Sequence, residues 1–377
     1  LLLACAPGTA EGNARVSAGV RTRGRDAEWR LGMVVPLQGP AGLFGPSCEA
    51  VGELVAHDLN AAGGVLGRQV CIEVVDGGAH PAVVAADVKR LIDEGRIDAV
   101  SGWHISSVRN ALAPVVVDRV PYSYPALYEG GERRRGIFCC GETPDQQIAP
   151  ALRWMRDNLG IRKWFVVGDD YVWPRSSLAE VRRYVRELSL DLVGGSFVAL
   201  GHGDIDRLVD KVAQSRCEAV LMLLVGQDAV EFNRTFARRG LQDEKLRFSP
   251  LMDENMLIGS GHDATQGLFV AASYFRSMVG RNSMELLDRY LEVNGPSAPA
   301  LGSAAESCYE GAYFLAEMIR RAGDPLAIDA VADGVAYESP RGTVEFLEHR
   351  TSQPVHLAVA AGVDFEIVTT LPGSLIG

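Results

Sequence analysis

The residues best equipped for chemistry lie between Ser101 and Arg175. Three apolar runs there (Ala99-Val100, Val120 to Ser123 and Trp164 to Val167) each break off into polar and aromatic side chains. Behind them stand Trp103, His104, Ser106 and Ser107, then Tyr124 and Tyr128, then Asp170 and Tyr171. Hydroxyls and rings at strand ends can hydrogen-bond a small molecule and wall it off from water. None of them pairs a nucleophile with a base. The chain also lacks a Gly-x-Ser-x-Gly elbow, a Walker loop, His-Glu-x-x-His and Cys-x-x-Cys. Gly259-Ser260-Gly261 lacks the strand and helix that a dinucleotide-binding turn needs. Asp253 and Glu254 adjoin, but on a turn they point apart, which suits paired acid–base work poorly. The reading is a binding protein, not an enzyme, with no cofactor and no metal.

The elements that must position these residues alternate. A strand at Leu31 to Val35 runs through a Gly- and Pro-rich turn into a helix over Ser47 to Asn60, with Val51, Leu54, Val55 and Leu59 at helical spacing. Strand Val70 to Val75, helix Pro81 to Glu94 and strand Ala99-Val100 follow. The pattern then restarts: helix Gln147 to Asn158, strand Trp164 to Val167, helix Ser177 to Leu188, short strand Val198 to Leu200 and helix Ile205 to Ser215. Strand Ala219 to Val225, helix Phe232 to Arg239 and strand Arg247 to Leu251 complete it. Such alternation means βαβ units and parallel sheets, whose ligands sit outside the carboxyl ends of the strands. A single sheet of so many strands is unusual, so the expectation is α/β with two doubly wound lobes.

Composition narrows the class. The chain has 377 residues, a formal charge of -11, 47% hydrophobic and 23% charged residues. That balance suits a globular protein with two cores and disfavours nucleic acid as a direct partner. No apolar run approaches the ~20 residues of a membrane span. Seven cysteines at irregular spacing give no zinc pattern. Cys139-Cys140 reads as buried structure, and a pair such as Cys48 with Cys71 could oxidise. Residues 1–28 lack periodicity and read as a disordered segment. Within them Leu2-Leu3-Ala4-Cys5 is similar to a bacterial lipobox, which makes Cys5 the candidate lipidation site and the segment a membrane tether; the competing reading is an apolar stretch or a linker.

The ordered motifs resemble the type I periplasmic-binding-protein family, the solute receptors for branched-chain amino acids, amides and urea. The opening Val35-Pro36-Leu37-Gln38-Gly39-Pro40 and Asn60-Ala61-Ala62-Gly63-Gly64 carry the resemblance. Ser106 with Arg109, Tyr124-Pro125 with Tyr128-Glu129-Gly130, Gln147 with Pro150, and Asp170-Tyr171 with Pro174-Arg175 bring it nearest the amide- and urea-binding branch. The resemblance implies two lobes joined by a three-crossing hinge, lobe one being 29–141 with 271–345 and lobe two 142–270 with 346–377. It implies an extracytoplasmic receptor that delivers a short amide, urea or amino acid to an ABC permease by hinge closure. The alternative is a cytoplasmic or fused ligand sensor that controls gene expression through a protein partner.

Residue by residue, the resemblance makes Ser106 and Tyr124 lobe-one ligand contacts and Tyr171 the lobe-two residue that closes over the ligand. His104 stands where the branch often has Tyr, and Ala126 where it has a ligand-binding Thr. Met252-Asp253-Glu254 falls near a Thr-rich turn and adds carboxylates, which makes an amine-bearing ligand an option beside amide or urea. Ser107, Tyr128, Trp103 and Gln227 complete the candidate contacts. Bland roles compete with these: Ser106 and Ser107 as helix caps, Tyr124 and Tyr128 as packing between lobes, Trp103 and Trp173 as a floor, His104 as a surface histidine, Asp228 as a cap. Arg133-Arg134-Arg135 reads as a solvated turn.

Overall fold

The computed structural model describes residues 27–372. The tether segment and Cys5 therefore lie outside the described residues, apart from Ala27 and Glu28. The first series contains strands β1 (Glu28–Val35), β2 (Gln69–Asp76), β3 (Ala99–Ser101), β4 (Tyr122–Tyr124) and β5 (Ile137–Cys139), with helices α1 (Gly45–Ala61), α2 (Pro81–Asp93) and α3 (Ser106–Val116). The second contains α4 (Pro144–Leu159), β6 (Lys163–Asp169), α5 (Val172–Glu187), β7 (Asp191–Val198), α6 (Ile205–Gln214), β8 (Ala219–Leu223), α7 (Gly226–Arg238), β9 (Leu246–Ser249), α8 (Glu254–Ser260) and β10 (Leu268–Ala272). Then come α9 (Arg281–Asn294), α10 (Ser303–Ala322), β11 (Val335–Ser339), β12 (Gly342–Leu347), β13 (Arg350–Ser352), β14 (Val355–Ala361) and β15 (Asp364–Leu371).

They form two sheets. The first runs β11-β12-β13-β5-β4-β3-β1-β2 and the second β15-β14-β10-β9-β8-β6-β7. Strands β1 to β5 pair in parallel, as do β6 to β10. Parallel strands covered by helices on both faces must be apolar on both, and β8 is buried at all five positions. Local signals start and stop the helices. Thr143 and Gln146 form a capping box at α4, Pro144 occupies its first turn, and Gly160 ends it in the left-handed region at φ 73°.

The lobe boundaries differ from expectation at two crossings. β10 continues the second sheet to Ala272, so lobe two ends two residues later than 270. The hairpin β12–β13 stays in the first sheet, where Leu347 pairs with Arg350 and Arg350 with Cys139. The third crossing is therefore at Gln353-Pro354, and residues 346–352 belong to lobe one. Strand β7 also begins earlier than its short apolar core at Val198 predicts. Its Gly194-Gly195 resembles a turn in sequence, yet Gly194 is needed beneath the Phe165 ring, which would lie 2.6 Å from a Cβ there.

Buried polar groups tie the crossings together. Glu142 accepts from the Ser273 amide at 2.8 Å, joining the first and second. Fully buried Arg341 binds Glu306 at 2.6 Å, Ser307 at 2.7 Å and Gln353 at 3.1 Å, while Gln353 donates to the Cys140 carbonyl at 3.4 Å. All six cysteines among the described residues are unbridged. Cys308 and Ser47 lie beside the buried Cys48 thiol.

Candidate ligand site between the two lobes

In lobe one, β3 feeds α3 through Gly102 to Ile105. The residue at the α3 cap is Ile105, which has no side-chain acceptor, so the helix N-terminus is bare. Ser106 sits at its first turn, 2% exposed, with its hydroxyl beside the Tyr124 phenol and in no well-aligned hydrogen bond. A bare helix N-terminus with an unengaged hydroxyl can receive a carboxylate or carbonyl oxygen. Ser107 is half-buried beside it.

The other lobe-one candidates are committed to the protein. Nδ1 of His104 faces the Val34 carbonyl at 3.0 Å and Nε2 the Tyr122 hydroxyl at 2.6 Å. Nδ1 therefore carries the proton, Tyr122 donates to Nε2, and burial pushes the imidazole down to about 4, so it is neutral. His104 is thus an interior brace, correcting both its ligand role and the surface alternative. Tyr124 donates its hydroxyl to the His104 carbonyl at 2.7 Å. The Arg109 guanidinium lies 5.1 Å from the ring centres of both Tyr124 and Tyr128 and pairs with Glu129 at 2.5 Å. Tyr124 and Tyr128 shape the wall rather than offer free hydroxyls. Trp103 packs against Phe44 at 4.4 Å, beneath the cleft. Ala126 is buried at the first crossing, its carbonyl pressed against Gly141.

Lobe two supplies the facing wall. Helices α3 and α5 approach each other across the cleft. Tyr171, at the α5 cap, is half-buried with Tyr124 and Glu129 of lobe one among its neighbours. Trp173 packs behind it, 2% exposed. Asp170 points outward to Arg175 at 2.7 Å. The Gln227 side chain is exposed.

Lobe two also buries three carboxyls, and Asp253 Oδ2 lies against Gly302 of lobe one, where a Cβ would come within 2.7 Å of it. Asp253 caps α8 by accepting from the Met256 amide at 3.1 Å through Oδ1, while buried Oδ2 has no partner. Glu254 accepts from the Arg276 amide at 2.8 Å, and its Oε2 has none. Burial raises Asp253 to about 6; burial and then the Asp253 charge raise Glu254 to about 8. Asp169, which the sequence reading passed over for its neighbour Asp170, is 0% exposed. Its Oδ2 accepts from the Val225 amide at 2.7 Å and its Oδ1 is unpartnered. Burial, then Asp228, pushes it up to about 9. The signal for it was present: Asp169 ends an otherwise apolar buried strand. At neutral pH Glu254 and Asp169 therefore hold their protons, and Asp253 is the one of the three left mostly charged, the one a cation would satisfy.

Among known proteins, a family model described as periplasmic binding protein matches residues 28–364. An amino acid binding protein of Pseudomonas aeruginosa is 26% identical over 218 residues, covering 56% of this chain and 58% of that protein. A Leu/Ile/Val-binding protein homolog of Brucella melitensis is 22% identical over 336 residues, 85% of this chain and 88% of the relative. The match to the Pseudomonas protein thus spans little more than half of its length. Among solved structures, a solute binding protein of an ABC transporter from Rhodopseudomonas palustris, in complex with 3,4-dihydroxybenzoic acid, superposes with TM-score 0.79 at 21% identity over 92% of this chain and 96% of the other. The branched-chain amino acid transporter substrate binding protein of Streptococcus pneumoniae, in complex with isoleucine, gives 0.79 at 16% identity over 92% and 99%.

Proposed function

This chain belongs to the type I periplasmic binding protein family, and from that premise we propose that it is the extracytoplasmic receptor of an ABC importer whose ligand is an amino acid. As a member of that family it is a binding protein and not an enzyme. The observation that carries the ligand reading is the pair of unmatched ends: Ser106 on the bare N-terminus of α3, and the unpartnered oxygen of Asp253 on α8. A zwitterion satisfies both, its carboxylate toward Ser106 and its ammonium toward Asp253. The names of the relatives from Pseudomonas and Brucella point the same way. Tyr171 then covers the ligand, and contacts to both lobes shift the hinge toward the closed state that a permease recognises.

The test is a thermal-shift panel of L-amino acids, neutral short amides with urea, and aromatic acids. Saturable stabilisation by an amino acid, weakened about tenfold in affinity by Ser106→Ala, supports the reading. Stabilisation by amides alone, with no response to any amino acid, replaces it with the amide reading.

A further inference from the structure

Beside the ligand site the two lobes meet in a second contact, of peg and socket. The peg is the turn after β1. Asp76 fixes it on lobe one by accepting from the Leu37 amide at 3.0 Å and the Gly78 amide at 2.8 Å. The turn projects Pro40 into lobe two, where Gly201 and Gly226 form the socket walls. A Cβ on Gly226 would lie 2.1 Å from the Pro40 carbonyl oxygen, and one on Gly201 2.3 Å from the Pro40 ring. The socket is braced from below: Asp228 accepts from the Gly201 amide at 2.6 Å and Asp169 from the Val225 amide at 2.7 Å. The short turn Gly42–Phe44 continues the docking onto α7 and α8.

One backbone-to-backbone hydrogen bond crosses this contact, while Asn255 of α8 donates nearby to Ser47 at 3.5 Å and the Ala300 carbonyl at 2.9 Å. The Gln227 amide, in the first turn of α7 where no intrahelical acceptor exists, donates to the Pro40 carbonyl at 2.9 Å. The α7 cap, Val225, has no side-chain acceptor. Lobe one therefore caps a helix of lobe two, and opening the cleft uncaps it. We propose that Pro40, seated between Gly201 and Gly226, is a closure latch that holds the lobes together without any ligand in the cleft. It fixes how much of the ligand's binding free energy closure consumes.

The Gln227 amide is the reporter, because its protection from exchange depends on the latch and not on α7 itself. Hydrogen exchange and small-angle scattering are compared for the ligand-free parent, Gly226→Ala, Gly201→Ala and Gly240→Ala. All three glycines have positive φ (51°, 74° and 68°), but a Cβ on Gly240 meets nothing within 4 Å, so it controls for backbone strain. The expected result is a Gln227 amide that exchanges about tenfold faster in Gly226→Ala and Gly201→Ala, with a larger radius of gyration, while Gly240→Ala matches the parent. Equal exchange in the parent and both socket variants, or equal loss in Gly240→Ala, overturns the latch. Because no ligand is added, neither outcome bears on the ligand assignment.

Discussion

The two walls of the cleft are built on opposite principles. The lobe-one wall is aromatic and nearly complete: the His104 ring is held from both nitrogens, the Tyr124 hydroxyl is held by a backbone carbonyl, and Arg109 is wedged between two tyrosine rings with Glu129 as its counter-ion. The Ser106 hydroxyl, Arg109 Nε and Glu129 Oε2 are its buried atoms without a hydrogen-bond partner among the described residues. The lobe-two wall instead buries Asp169, Asp253 and Glu254, each with an oxygen that no protein atom satisfies. The first wall is shaped before ligand arrives. On the second, Asp253 is the raised carboxyl that is still mostly charged near pH 7, so recognition of a cation should depend most on Asp253 and stability most on lobe one.

The sharpest way to break that contrast is Asp253→Asn. Losing one partner of a buried charge pair should weaken an amine-bearing ligand by about 2–4 kcal/mol, roughly 30- to 1000-fold in Kd by calorimetry. The ligand-free protein should be at least as stable as the parent, because an unpaired buried carboxyl is removed. Unchanged affinity would dissolve the comparison.

A second test uses acidity. The raised carboxyls, Asp253 to about 6, Glu254 to about 8 and Asp169 to about 9, hold protons in the folded protein that the unfolded chain releases near the ordinary carboxylate range of about 4. The folded state then binds more protons across that window, so ligand-free stability should fall as pH rises from about 4 and level off above about 9. Asp169→Asn should flatten the upper part of the decline, read by denaturant titration at several pH values. A stability that climbs through this window would contradict lobe two's buried, unpaired carboxyls.

On the other wall, Tyr122→Phe leaves Nε2 of His104 buried without a donor. It should cost about 1–3 kcal/mol of folding stability, with ligand Kd changed by no more than about twofold. A larger loss of binding than of stability would return the histidine to the site. The smallest effect belongs to Gln227→Ala, whose side chain is exposed: stability within about 0.5 kcal/mol and unaltered binding, measured by the same two methods.

Much of this was legible in the sequence because periodicity and punctuation are local. The breaks after Val100, Ser123 and Val167 lie at strand ends, and the helices were placed in order, although α5 and α7 begin at Val172 and Gly226, ahead of the expected Ser177 and Phe232. What escaped was set by partners far along the chain. Whether His104 faces ligand depends on Val34 and Tyr122, and neither contact has a sequence signature. The third crossing was misplaced because only pairing of Arg350 with Cys139 shows which sheet the β12–β13 hairpin joins. Strand β7 was shortened because Gly194 accommodates Phe165, a neighbour from another strand. Asp169 was overlooked beside Asp170 because adjacent residues at a strand end point to opposite sides, and sequence alone does not say which side is buried.

The central claim is that lobe two recognises a cationic amine. The most direct measurement is calorimetric titration of the best amino acid from the panel against its deaminated acid, at about pH 7. The account predicts that removing the amine abolishes detectable binding to the parent and that Asp253→Asn discriminates far less between the two. Equal affinity of the parent for both would contradict it.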